Sequence, residues 1–221
     1  MLVYELINND LKPLRQKDTV VHAVSVMEDS SMAYYPVVDS KGHLLGEASL
    51  NELKVEETVA KQLTSQTQNE RQFLRESDHI LEAARTMLLL NRTLLPVIDR
   101  NDNYLGTVTK VALIDAVIRL LNLREAGTVI MIEMKAHDYM LSDVIRIIEA
   151  EGARILAMTV QAPDAINEHF RISVKLNLDD LARVGSSLRR YGYLISSESH
   201  SELTDSELSD KADEFFRYLD I

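Results

Sequence analysis

Residues 13–53 align without a gap on residues 73–113, at an offset of 60. Asp18, Ala23, Met27, Pro36, Val37, Asp39, Leu45, Gly46 and Leu53 recur as Asp78, Ala83, Met87, Pro96, Val97, Asp99, Leu105, Gly106 and Leu113. A repeat of this length limits the fold severely, because one copy is a supersecondary unit too small to hide its own apolar face. The two copies are therefore expected to pack on each other with pseudo-twofold symmetry.

Within each copy the hydrophobic period changes. Val20, Ala23, Val24 and Met27, and again Ile80, Ala83, Ala84 and Met87, follow the i, i+3, i+4, i+7 spacing of a helix with one buried face, each preceded by an Asp. Short strands then run from Tyr34 to Val38 and Leu44 to Ala48, with a turn around Ser40-Lys41-Gly42. Leu94 to Ile98 and Tyr104 to Val108 repeat them. Ser49 and Thr109 follow the second strand of each pair, placed to cap a helix. Each copy thus reads helix, strand, strand, helix. The connection over residues 54–72 is polar and reads as a linker.

From Gly127 the repeat stops. Thr128 to Met134 is β-branched and apolar, and Leu141, Val144, Ile145 and Ile148 form a helical stripe that ends at Gly152. Arg154 to Gln161 reads as a strand, and Phe170, Ile172, Val174 and Leu176 alternate with polar residues. A second helix carries Leu181, Val184 and Leu188 and stops at Gly192, before a closing strand over Tyr193 to Ser197. The order βαββαβ is the ferredoxin-like arrangement. An acidic tail follows, in which Leu208, Ala212, Phe215, Phe216 and Leu219 share one helical face behind a Thr204–Glu207 capping box. Docking of that face on its own domain or on a second subunit is expected.

Composition narrows the function. The net charge of −11 repels phosphate backbones and anionic headgroups, and no local basic patch offsets it, so neither nucleic acid nor membrane is expected as a partner. No apolar run reaches the roughly 18 residues that span a bilayer, and with no cysteine the expected compartment is the cytoplasm. Neither a P-loop nor G-x-G-x-x-G occurs, and His22, His43, His79, His137, His169 and His200 lack zinc-ligand spacing. Asp179-Asp180 and Glu56-Glu57 start or flank helices, where acids offset the dipole. The chain is therefore expected to be neither an enzyme nor a metal protein.

Pro36-Val37-Val38-Asp39 with Leu45-Gly46-Glu47-Ala48-Ser49, and Pro96-Val97-Ile98-Asp99 with Leu105-Gly106-Thr107-Val108-Thr109-Lys110, resemble the tandem CBS motifs of a Bateman module. Residues 127–198 resemble an ACT domain. The implied fold is α+β: CBS motifs over residues 1–60 and 61–126 packed as a pseudo-twofold module, a ferredoxin-like ACT-like domain over 127–198, and the tail over 199–221. The layout is similar to that of the bacterial acetoin-utilisation regulatory proteins.

The resemblance implies a regulatory or sensor protein that needs no cofactor and takes AMP, ATP or S-adenosylmethionine as an effector in clefts between the motifs. In that family a hydroxyl and an Asp three residues on hold phosphate and ribose. Carried over, the first copy offers Ser49 and Glu52, and the second offers Thr109 and Lys110 but has Ala112 in place of the Asp. Tyr34, Tyr35, Leu94, Leu95 and Pro96 complete the candidate lining. Two readings stay open: an adenosyl site, or hydroxyls that only cap helices beside clefts filled by Tyr34 and Tyr35, which leaves a ligand-free scaffold acting on an unnamed protein by contact. Tyr139 stands where the ACT effector loop carries a Gly, which favours packing or dimerisation over amino-acid binding. Val24, Val26, Leu88 and Leu89 exceed what one stripe can bury, and CBS pairs commonly associate, so a homodimer is expected.

Overall fold

The computed structural model describes residues 1–55, 63 and 71–198. Most of the polar connection and the whole tail, with its expected helix and capping box, lie outside the described residues. The chain splits into two compact units, Met1–Ile118 and Arg119–Ile221.

In the first unit each repeat is α/β in the expected order, preceded by a strand that the periodicity did not reveal. Strands β1 (Leu14–Arg15), β2 (Tyr34–Val38) and β3 (Leu44–Ser49) form one sheet, β1 parallel and β3 antiparallel to β2. Strands β4 (Leu74–Arg75), β5 (Leu94–Ile98) and β6 (Tyr104–Thr109) repeat it with corresponding register. A two-residue strand carries no period, which is why it escapes sequence reading. Helices α1 (Val20–Asp29), α2 (Leu50–Val55), α3 (Ile80–Leu89) and α4 (Lys110–Leu120) complete the pair.

The helix starts differ from expectation. Thr19 and His79 are the caps of α1 and α3, accepting from the amides of His22 and Leu81 at 3.3 Å each. Asp18 and Asp78 instead accept from the amides of Arg15 and Arg75, at 2.7 and 2.8 Å, closing the turn that leads into each helix. The C-termini of the two helices are alike. Ser31 and Asn91 adopt φ of 55° and 50°, and the amides of Met32 and Arg92 reach back to the carbonyls of Met27 and Met87 at 2.9 and 3.0 Å. Both are Schellman endings, and they fix the direction of residues 32 and 92 as the chain enters β2 and β5.

The N-terminal residues of the first repeat run along the second. The amide of Val3 donates to the carbonyl of Asp78 at 2.9 Å, and Asn8 exchanges backbone bonds of 2.8 and 3.0 Å with Thr107. A Cβ on Gly106, at φ +149°, would fall 2.5 Å from Cγ2 of Ile7 and 2.8 Å from the carbonyl of Asn8. Only glycine fits beneath this strap. At the other end of the hairpins the two turns join, Tyr104 to Gly42 at 2.9 Å and Leu44 to Asp102 at 3.3 Å. The core of the first repeat includes Leu14, Met27, Val37, Leu53 and also Leu63, a residue of the connection read as linker.

The second unit has the expected βαββαβ order: β7 (Thr128–Met134), α5 (Leu141–Ala150), β8 (Ile155–Gln161), β9 (Phe170–Leu176), α6 (Ala182–Arg190) and β10 (Leu194–Glu198). Its antiparallel sheet has the strand order β10-β7-β9-β8, with Ile130, Ile132, Ile172 and Val174 packed against Val144, Ile148, Val184 and Leu188. This is a ferredoxin-like sheet covered on one face by two helices. Lys175, almost buried, donates to the carbonyls of Asn122 and Glu125 at 2.7 and 2.6 Å, anchoring the segment that enters β7. Among the described residues no helix is long and apolar enough to cross a membrane.

Candidate functional site

Ser49 ends β3 directly opposite Tyr34, the first residue of β2. Above Tyr34 lies Arg92, its guanidinium carbon 3.3 Å from the ring centroid. Nε of Arg92 reaches Oε2 of Glu47 at 3.2 Å, while one terminal nitrogen donates to the carbonyl of Leu90 at 3.0 Å. Arg92 comes from the second motif and Glu47 and Tyr34 from the first, so the cluster joins the repeats. The Schellman turn after α3 aims it there.

Glu47 is 6% exposed, and its Oε1 has no hydrogen-bond partner among the described residues. Burial pushes its carboxyl above the ordinary range, against the opposing pull of Arg92. The pseudo-equivalent positions are Thr107, fully buried, and Met32, whose sulfur accepts from the hydroxyl of Thr93 at 3.5 Å. One side of the pair therefore carries an ion pair where the other carries a hydroxyl and a thioether. Sequence reasoning missed Arg92 and Glu47. The offset of 60 held the clue, since both members of the pair change charge between copies.

The other candidates divide by burial. Thr109 caps α4, its hydroxyl accepting from the amide of Ala112 at 3.2 Å, and Lys110 at the first position of that helix is exposed. Ser49 is buried and Glu52 exposed. Tyr35, Leu94, Leu95 and Pro96 are buried, with Tyr35 packed into the first motif's core. Val24 and Val26 pack against that core too, whereas Leu88 and Leu89 are 77% and 72% exposed.

At the hairpin end, Oδ1 of Asp39 accepts from the amides of Lys41 and His43 at 2.7 and 2.9 Å, and Oδ2 meets Nδ1 of His43 at 3.0 Å. The His43 side-chain bond leads in holding this carboxyl down, at about 2. Asp99 repeats the turn with Asn103 in place of His43.

In the second unit a cavity of about 630 Å³ lies between the 135–140 and 191–194 segments. Tyr139 borders it with its ring centroid 4.5 Å from that of Phe170 and an ordinary negative φ, so the loop folds without glycine. Among the described residues no group of three or more His, Cys, Asp or Glu converges to hold a metal.

The CBS domain family model matches residues 3–55 and 70–119, the two halves of this repeat. The chain carries a CBS domain pair. A CBS domain pair/ACT domain protein from Thermotoga maritima is similar at 22% identity and TM-score 0.51, over 54% of this chain and 98% of that one. The CBS domains of a Streptococcus pneumoniae transcriptional regulator align over 52% of this chain and 98% of theirs, at 17% identity and TM-score 0.48. CBSX2, solved in complex with AMP, aligns over 53% of this chain and 96% of its own, at 22% identity and TM-score 0.45. No curated protein sequence matches the chain. CBS pairs are generally regulatory, and this pair is followed along the chain by the ferredoxin-like, ACT-like fold of the second unit.

Proposed function

We propose that the protein is a non-catalytic cytoplasmic sensor, a homodimer whose CBS pair takes an adenosine-containing effector of the AMP, ATP or S-adenosylmethionine class. Its division is as the repeat implies: motifs over 1–60 and 61–126, an ACT-like packing domain over 127–198, and an appended tail. The observation that carries the reading is the capped start of α4. Thr109 holds the amide of Ala112, and exposed Lys110 sits at the positive end of the helix, an arrangement suited to a phosphate. Ser49 and Glu52 are the related pair in the first motif, and Tyr34, Tyr35 and Leu94 to Pro96 are the residues we assign to the apolar lining.

A second reading has an observation of its own. Arg92 lies on Tyr34 and is tied to Glu47, so the first motif's cleft holds a protein cation, as a ligand-free scaffold acting by contact would have it.

Thermal melts and calorimetry with AMP, ATP, S-adenosylmethionine and adenosine separate the two. A ligand at 100 times its Kd stabilises the folded state by about 2.7 kcal/mol, a shift readily measured. Lys110→Ala is expected to weaken phosphorylated ligands more than adenosine. Ala112→Asp is expected to tighten all of them, since a charged hydrogen bond to a ribose hydroxyl contributes about 1.5–3 kcal/mol. No response to any of the four at millimolar concentration leaves the scaffold as the account.

A further inference from the structure

We propose that the hairpin end of the first CBS motif is a separate anion pocket, built for a phosphoryl group. A cavity of about 390 Å³ opens there, walled by Lys12, Arg15 and Lys41, with Val38, Gly42 and Tyr104 around it. That volume lies in the range of small-ligand sites. It is distinct from the Ser49 cleft: Val38 and Tyr34 are opposite ends of β2, roughly 13 Å apart at strand rise.

Acidic residues outnumber Lys and Arg by 35 to 24, yet none of these three cations has an ion-pair partner among the described residues. The one carboxylate at the cavity, Asp39, is engaged by the amides of Lys41 and His43 and by the His43 ring. Three cations exceed what a single carboxylate ligand would balance, and they match a phosphate or diphosphate.

The second repeat acts as an internal control, because the same positions carry different residues there. Phe73 stands at the position of Pro13, with the guanidinium carbons of Arg71 and Arg75 at 5.8 and 5.3 Å from its ring. Asp102 replaces Gly42 and pairs with Arg71 at 3.1 Å, and Asn101 replaces Lys41. Over Gly42, at φ +90°, nothing lies within 4 Å of where a Cβ would stand. The first repeat thus lines with unpaired cations a position at which the second carries an aromatic ring and an Arg71–Asp102 ion pair.

The test is calorimetric titration of the full chain with inorganic pyrophosphate at low and raised salt. Saturable binding that weakens with salt is expected. Lys12→Ala and Lys41→Ala, both at exposed positions, should each lower affinity about tenfold or more. Gly42→Asp should abolish binding, and Asp102 at φ 64° shows that the hairpin accepts this residue. Arg75→Ala, at the equivalent place in the second motif, should leave affinity unchanged. Absence of saturable binding overturns the proposal, and so does binding that survives both Gly42→Asp and Lys41→Ala. Titration of the Lys110→Ala protein keeps this pocket apart from the nucleotide cleft: pyrophosphate affinity should be unaffected, and a loss there would move the anion to α4 and overturn the assignment.

Discussion

Asp39 shows how one side chain organises a turn. Its two oxygens collect two amides and an imidazole nitrogen, and the carboxyl is held near 2 as a result. A depressed acid stabilises the fold above its unfolded value of about 3.9 and loses that contribution as pH falls through the folded one. The Asp39 contribution is therefore present at neutral pH and disappears between about 4 and 2. NMR titration of His43→Ala should find the Asp39 carboxyl shifted upward, because the leading cause of its depression is gone. An unchanged value would mean that the backbone amides alone set it. Asp99, whose side-chain partner is Asn103 rather than an imidazole, offers the comparison within the same molecule.

At the scale of elements, the Glu47–Arg92 pair links β3 of one motif to the turn before β5 of the other. Removing one member of a buried pair leaves the other charge stranded. Arg92→Ala should therefore cost about 3 kcal/mol, the low end of the usual range, because Arg92 is 18% exposed. Replacing both partners by the residues of the opposite copy, Glu47→Thr with Arg92→Met, should be neutral or stabilising in denaturant unfolding, since no charge then remains buried. If the double variant is as unstable as Arg92→Ala, the cluster contributes packing that the opposite copy's residues cannot replace. Burial holds the Glu47 carboxyl above its ordinary value, so stability declines as pH rises from that ordinary value through the folded one, and Glu47→Gln should remove this decline.

For the whole molecule, the exposed apolar residues define the expected association. Leu88 and Leu89 on α3, with Val111 and Ile114 on α4, are each more than half exposed, whereas Glu28 and Lys54 at the first-copy positions of Leu88 and Ile114 form an ion pair at 2.6 Å. Apolar surface of this kind on one copy alone is costly in water unless a partner covers it. Light scattering at micromolar concentration should return twice the chain mass, and Leu88→Glu with Leu89→Glu should shift the protein toward monomer. A wild-type monomer would refute the homodimer, and a dimer untouched by the substitutions would place its interface elsewhere.

The repeat, the hairpins and the βαββαβ order were legible in the sequence because each rests on a local period or a turn residue: the stripe from Val20 to Met27, the Ser40-Lys41-Gly42 turn, the alternation from Phe170 to Leu176. The two-residue parallel strands β1 and β4 left no such trace, since they exist only by pairing with β2 and β5. Leu63 read as linker and became core, because burial is settled by what surrounds a side chain and not by its neighbours in the chain. Ser49 and Thr109 were recognisable from their motif. Arg92 was not, because its position depends on the turn that ends α3 and on two residues, Tyr34 and Glu47, that lie 58 and 45 positions earlier in the chain. Local chemistry specified the elements, whereas the meeting of the two copies decided which charges became buried, paired or left open to solvent.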